Sequence, residues 1–275
     1  MNSIVQDYIN RFTPNGFEKP EWSTFFTQFD ITDYHQKLPY IFGIELFNFR
    51  LLKAFILQEK ICIYSDYDTD AVTATATMFH GLIELGFLHE NISFYAPDRF
   101  TEGYGMNTAA IEELAKNYDM IISVDCGINS REEAEVVNNL KLNSDNKIAD
   151  LIITDHHQLI GTIPNALAVV NPRLSILYSG NPELNLILKE NIQKSKQNLF
   201  EWINGLDNKE VAIDLVLLKS QKLKDKIESW VEKVEHNTKT FDVKSSNYLT
   251  SSATGVGVAW FCLVWLAYFM EEIGV

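Results

Sequence analysis

Leu151-Ile152-Ile153-Thr154-Asp155-His156-His157 is a short β-forming run that ends abruptly in a carboxylate and two imidazoles. An apolar run of this length reads as a buried strand, and the polar residues behind it read as chemistry delivered to one end of a sheet. The same grammar recurs upstream. Residues 61–64 are followed by Asp66, Asp68 and Asp70. Residues 92–96 lead to Arg99 and then Thr101-Glu102-Gly103-Tyr104-Gly105, and residues 120–124 lead to Asp125. Helical spacing fills the intervals at 71–85, 108–117 and near 131–140, and residues 166–170 supply a fifth strand. Strands alternating with helices of this length predict an α/β, doubly wound, mostly parallel sheet. The strands are apolar throughout, as expected where both faces are covered. In such sheets ligands bind beyond the carboxyl ends of the strands, so the four polar loops should face one crevice.

Outside this core, which spans 59–173, the pattern changes. Residues 1–58 read as an N-terminal helical segment packing on the core, with 41–57 strongly apolar. Residues 174–252 read as an inserted helical lobe, with a helical run around 211–234 and loop-like flanks at 178–182 and 239–252. Phe200, Trp202 and Trp230 argue against a disordered linker there, because large aromatics are costly to leave in water. Residues 253–275 read as a C-terminal apolar helix. Its segment 256–270 is too short to span a bilayer comfortably, so a buried helix and no membrane partner are expected.

The net charge of −14 argues against a generic nucleic-acid-binding surface, since phosphate backbones attract Lys and Arg. The excess is local. Residues 174–252 hold 11 basic and 11 acidic residues, whereas residues 1–173 hold 12 basic and 24 acidic. The surplus therefore belongs to the part with the aspartate clusters, where bound divalent cations would offset it. Cys62, Cys126 and Cys262 are odd in number, lie in or beside apolar runs and lack paired metal-type spacing. They read as reduced thiols of a cytoplasmic protein. The first residues, MNSIVQDYINRF, have no basic n-region and no unbroken apolar stretch, so no signal peptide is expected.

Each polar group has an ordinary role when taken alone. Asp-x-Asp after a strand often caps a helix. The glycine of Asp125-Cys126-Gly127 can serve only its turn, paired histidines can be hydrogen-bonded core, and Arg99 can be a surface charge. Their joint placement at successive strand ends favours a metal site. Three aspartates at alternate positions repel one another in a cleft, and desolvation worsens this until a cation resolves it. Carboxylates with one or two imidazoles form a set of oxygen and nitrogen donors that suits Mn²⁺ or Mg²⁺, without the thiolates of a structural zinc site. Ligands in this number can hold two ions sharing a bridging carboxylate. Two such ions suit in-line displacement at phosphorus.

These stretches resemble the DHH phosphoesterases, and within them the RecJ-type single-strand-specific exonucleases. The resemblance is carried by Asp66-Tyr67-Asp68-Thr69-Asp70, by the segment from Pro97 to Asn107 with Arg99, Glu102, Gly103, Tyr104 and Gly105, by Val124 to Ile128, and by Ile153 to His157 leading to Val170-Asn171-Pro172. Gly255-Val256-Gly257-Val258-Ala259 also looks like a family segment. The resemblance implies a two-metal, Mn²⁺- or Mg²⁺-dependent phosphodiesterase that removes nucleotides from the 5′ end of single-stranded DNA in repair and recombination. It implies Asp68, Asp70, Asp125 and His156 as metal ligands, with Asp125 as the bridge, and Asp66 and Asp155 as further carboxylates of the site. His157 and Arg99 would contact the scissile phosphate, and the loop from Glu102 to Asn107 would shape the cleft.

Departures from the family pattern are Ala71 in place of a usual glycine, a long 174–252 connection, and an end at Val275 before the family's last metal-ligand aspartate. The chain is therefore expected to be either a portion of a longer polypeptide or a natural short form with altered or lost activity, and a fragment would leave the apolar 256–270 face to self-association or a further C-terminal domain. Two alternatives stay open: a phosphodiesterase for short oligonucleotides or cyclic dinucleotides, and a catalytically silent scaffold.

Overall fold

The computed structural model describes residues 41–103, 105–144, 146–179, 182–205, 220–240 and 253–275. Tyr104, residues 1–40 of the expected N-terminal helical segment, residues 211–219 of the expected helical run and residues 241–252 lie outside the described residues.

Helix α1 (Ile44–Leu57) precedes a parallel sheet of five strands, β1 (Ile61–Ser65), β2 (Ile92–Tyr95), β3 (Met120–Val124), β4 (Asp150–Thr154) and β5 (Ala168–Val170). The spatial order is β2-β1-β3-β4-β5, with Ile61 paired to both Ile92 and Met120, and Val124 paired to Thr154. All residues of β1, β3 and β5 are buried, which explains their unbroken apolar runs. β2 lies at an edge, and its Phe94 is 65% exposed. From β1 the chain first steps outward to β2 and then returns past β1 to β3. The winding therefore reverses between β1 and β3, which makes that gap the topological switch point.

The crossovers are α2 (Thr69–Glu84), α3 (Thr108–Asn117) and α4 (Arg131–Asn143). Right-handed connections in opposite directions put helices on opposite faces. Accordingly α3 and α4 pack together over Cys62, Tyr64, Ile121, Leu151 and Ile153. The other face is covered by α1, α2 and the last helix.

After β5 come α5 (Pro172–Ser179), α6 (Pro182–Gly205), α7 (Gln221–Thr240) and α8 (Gly255–Ile273). The 174–252 region is helical where described, but the expected loop at 178–182 is narrower: Tyr178 and Ser179 end α5, and Pro182 starts α6. Proline suits a first helical position, where its missing N–H costs nothing. Likewise residues 239–240, expected in a loop, still belong to α7.

α8 is longer than expected and, as expected, buried. It runs 19 residues, long and apolar enough by those measures alone to cross a membrane. Its surroundings are the protein's own core. Trp265 and Phe269 are fully buried, and the buried Trp230 of α7 sits 4.6 Å from the Phe269 ring and 6.3 Å from Trp265. Against α2 the approach is close: a Cβ on Gly81 would lie 2.3 Å from Leu263 Cδ1. Only Trp260, at 38%, remains notably exposed among the large apolar side chains of this helix. The expectation that another copy or domain must cover 256–270 is thus not supported, because α1, α2 and α7 take up that face.

The amino ends of the strands carry an ion network that the sequence did not announce. Buried Arg50 of α1 bonds Glu59 at 2.6 Å and Asp150 at 2.5 Å, and donates to the Asp119 carbonyl at 3.1 Å. Lys147 joins Glu59 and Asp119 at 2.9 and 2.7 Å, and Lys141 joins Asp150 at 2.5 Å.

Candidate metal centre

At the carboxyl ends of β1 and β3, the switch point gathers the aspartates. Asp66, just past β1, is buried; one oxygen accepts the Tyr67 amide at 2.8 Å and the other has no donor among the described residues. Asp68 caps α2 by accepting the Ala71 amide at 2.9 Å. Asp70, in the first turn of α2, reaches across to α8: its Oδ2 accepts the Gly255 amide at 2.7 Å and its Oδ1 the Val256 amide at 3.0 Å.

Asp125 follows β3 with φ +60°, a left-handed conformation that most side chains avoid and Asp tolerates. Gly127, at φ +111°, completes the turn in a space where a Cβ would lie 2.8 Å from Ser123 Oγ. The turn is braced when the Ser123 hydroxyl donates to the Cys126 carbonyl at 2.8 Å. It leaves the Asp125 carboxylate buried, with His156 Nε2 3.0 Å from its Oδ1, and Asp70 Oδ2 3.7 Å from the same nitrogen.

The Asp155-His156-His157 loop is held from both sides. Asp155 Oδ1 accepts the amides of His156 and His157 at 2.7 and 3.0 Å and contacts His157 Nδ1 at 2.8 Å, while Oδ2 accepts the Ile128 amide at 2.9 Å. Fully buried Asn171 donates to the His157 carbonyl at 3.0 Å, and Arg173 Nε donates to the His156 carbonyl at 2.7 Å. Farther along, Arg131 donates to the carbonyls of Ile160 and Thr162.

These surroundings split the carboxylates into two kinds. Burial pushes the Asp125 carboxyl up, and although neighbouring His156 pulls it down, Asp70 and Asp68 add to the rise. Asp66 is likewise raised, first by burial. Burial acts on Asp155 too, but its bonds from His157 and the backbone amides outweigh it and hold the carboxyl below the ordinary range. His156 is raised chiefly by Asp125, and His157 chiefly by Asp155.

Asp66 and Asp125 are therefore acids whose charge the protein offsets only in part, Asp125 chiefly through His156. A buried carboxylate oxygen without a donor is costly, and Asp66 Oδ2 and Asp125 Oδ1 are both buried without a well-directed hydrogen bond. Ligand atoms of Asp125, His156 and His157 lie within 4.8 Å of one another. The donors are oxygen and nitrogen, and burial keeps the adjacent Cys126 thiol protonated. Such a set fits a divalent cation of the Mn²⁺ or Mg²⁺ type.

Other expected residues take different places. Asp155, expected as a further carboxylate of the site, has both oxygens occupied by the chain's own donors and positions His157. Glu102, expected to shape the cleft, accepts the Tyr95 hydroxyl at 2.5 Å and the Asp98 amide at 2.7 Å, so it fastens the loop after β2. Asn107 caps α3 through the Ala110 amide at 3.1 Å, and its own amide donates to the Tyr64 hydroxyl, which donates to the Gly105 carbonyl. Gly103 and Gly105, at φ +85° and +83°, turn the loop. Arg99 is exposed, with its guanidinium 5.3 Å from the Tyr67 ring centre. The roles of Asn171, Arg173 and Gly255 were not foreseen; the Asn-Pro and Gly-x-Gly spellings were the available signal.

Residues 60–204 match the DHH family, N-terminal domain. The single-stranded-DNA-specific exonuclease RecJ of Bacillus subtilis is 37% identical over 159 residues, which make up 58% of this chain and 19% of that protein. The RecJ of Thermus thermophilus is 35% identical over 118 residues, 42% of this chain and 16% of that protein. The chain thus matches about a fifth or less of either relative's length. Among solved structures, an exonuclease RecJ bound to manganese aligns with TM-score 0.42 and 20% identity, covering 86% of this chain and 67% of the other. With the family match extending over more than half of its residues, and with the aspartates and histidines of that match meeting at one sheet edge, the chain belongs to the DHH family.

Proposed function

We propose that this chain carries the metal centre of a divalent-cation-dependent phosphodiesterase that removes nucleotides from the 5′ end of single-stranded DNA. The observation that supports it most is the meeting of Asp125, His156 and His157 within 4.8 Å, beside a buried Asp66 oxygen without a donor among the described residues. The kinship with RecJ proteins supports the choice of substrate.

In this reading Asp68, Asp70, Asp125 and His156 hold two ions, with Asp66 beside them. Divalent ions in such a site activate water and neutralise charge on phosphate oxygens. Asp155 stays ionised and fixes the His157 ring, so that Nδ1 carries the proton toward Asp155 and Nε2 is the atom offered to a phosphate oxygen. Arg99, resting near Tyr67, supplies positive charge to the same phosphate. Asn171 and Arg173 keep the histidine backbone from drifting as phosphate binds.

The test is Mn²⁺-dependent degradation of 5′-labelled single-stranded DNA, run beside Asp125→Ala and a double-stranded control. Mononucleotide release that disappears in the variant is expected. Mn²⁺ binding with no release from any single strand would overturn the exonuclease reading in favour of a small-nucleotide phosphodiesterase or a silent relative.

A further inference from the structure

The first turn of α8 meets the metal centre at two points. We propose that the Gly255–Val256 backbone is a working part of that centre, and that Gly255 is a positioning residue setting Asp70 and Asp125 together. This rests on those two aspartates being metal ligands.

Three observations carry it. Both oxygens of Asp70 accept first-turn amides of α8, at 2.7 Å from Gly255 and 3.0 Å from Val256. First-turn amides have no partner within their own helix, and the helix amino end carries partial positive charge. Two donors on one carboxylate fix its rotation, oppose its repulsion from the neighbouring acids, and leave each oxygen lone-pair capacity for a cation. Secondly, Gly255 lies against Asp125 itself: a Cβ there would fall 2.3 Å from Oδ1 and 2.4 Å from Cγ. No side chain fits unless the carboxylate moves. Thirdly, Gly257 in the same turn has room, since its Cβ would meet Thr254 Oγ1 at 3.6 Å and Ala253 Cβ at 3.9 Å, both ordinary contacts.

Two glycines two residues apart therefore differ in tolerance, and only the one touching the site is constrained. The site is assembled across 185 residues of sequence, from Asp70 to Gly255. The alignment of α8 on α2 is then a condition of cation binding as well as of folding.

The experiment uses the full 275-residue chain, stripped of metal, and measures Mn²⁺ affinity from the electron paramagnetic resonance signal of free Mn²⁺. Gly257→Ala should bind as the parent does. Gly255→Ala, which displaces the carboxylate, and Val256→Pro, which deletes one donor to Asp70 at a first-turn position that accepts proline, should each lose about 10- to 100-fold in affinity, as is typical when a ligand's support is removed. Thermal unfolding in EDTA checks that the variants are folded. Parent-like Mn²⁺ affinity in a folded Gly255→Ala overturns the proposal; if that variant does not fold, parent-like affinity in Val256→Pro overturns it. A parent chain that binds no Mn²⁺ would remove the ligand assignment itself, a result distinct from either.

Discussion

Asp155 Oδ1 and His157 Nδ1 are 2.8 Å apart, and that oxygen also accepts two backbone amides of the loop that carries the ring. One carboxylate thus sets the loop, the ring and the tautomer. Asp155→Asn keeps the shape but places an amide among donors, so at least one of these bonds is lost. Mn²⁺ affinity is expected to fall about 10- to 100-fold, as for other outer supports of metal ligands. Titration of the metal-free variant checks it, and an unchanged affinity would show that His156, whose amide Asp155 accepts, is held by its other neighbours.

Asp125 combines a left-handed backbone with a buried charge that its surroundings disfavour. Asparagine tolerates the same backbone without the charge. Asp125→Asn should stabilise the metal-free protein by about 1 kcal/mol while abolishing Mn²⁺ binding, the usual opposition of stability and function at a strained site. Denaturant unfolding in EDTA measures the first effect and metal titration the second. Destabilisation would mean that the contact with His156 outweighs desolvation.

Removing Arg50 leaves buried Glu59 and partly buried Asp150 without their central cation. Breaking a buried pair from one side costs about 3–5 kcal/mol. Arg50→Ala should lower the unfolding midpoint accordingly. A loss below about 1 kcal/mol, the level of an exposed pair, would show that Lys141 and Lys147 suffice.

Acid should find the same network. Burial alone would raise Asp119 and Asp150, but Lys147 on Asp119, and Arg50 with Lys141 on Asp150, hold both carboxyls below the ordinary range. A depressed folded value adds stability above the unfolded carboxylate range near pH 4, and that stability drains away as the pH falls through the folded values. In EDTA, unfolding free energy should decline from about pH 4 downward, and Lys147→Ala should decline less steeply. Parallel profiles for the two proteins would count against this assignment.

Much of the frame was legible in the sequence because buried parallel strands have no polar face to disguise them. The runs ending at Asp66, Asp125 and Asp155 reveal both their secondary structure and the loops behind them. Strand order was not legible, since the period of a strand says nothing about its neighbour. The switch point between β1 and β3 emerges only from the pairing of Ile61 with Ile92 and Met120. Residue type alone does not say which carboxylates keep an oxygen free. Asp155 and Asp125 look alike as letters, and differ because one is surrounded by backbone and ring donors whereas the other meets only the His156 ring. By resemblance the loop from Glu102 to Asn107 was expected to shape the cleft; the side-chain oxygens of these two residues serve the turn and the helix cap. The contact of Gly255 with Asp125 joins positions 130 residues apart in sequence, beyond the reach of local spacing.

The two ends of the sheet answer opposite demands. At the amino ends, acids are matched to Arg50, Lys141 and Lys147; at the carboxyl ends, burial raises Asp66 and Asp125 and their neighbours offset only part of its cost. Heritable change at the carboxyl ends should therefore leave the amino-end network intact, whereas the reverse does not hold. A descendant could lose its chemistry through Asp125 and still fold, even more firmly, whereas one that lost Arg50 would lose both. Silent relatives of such a protein are a foreseeable product of its architecture.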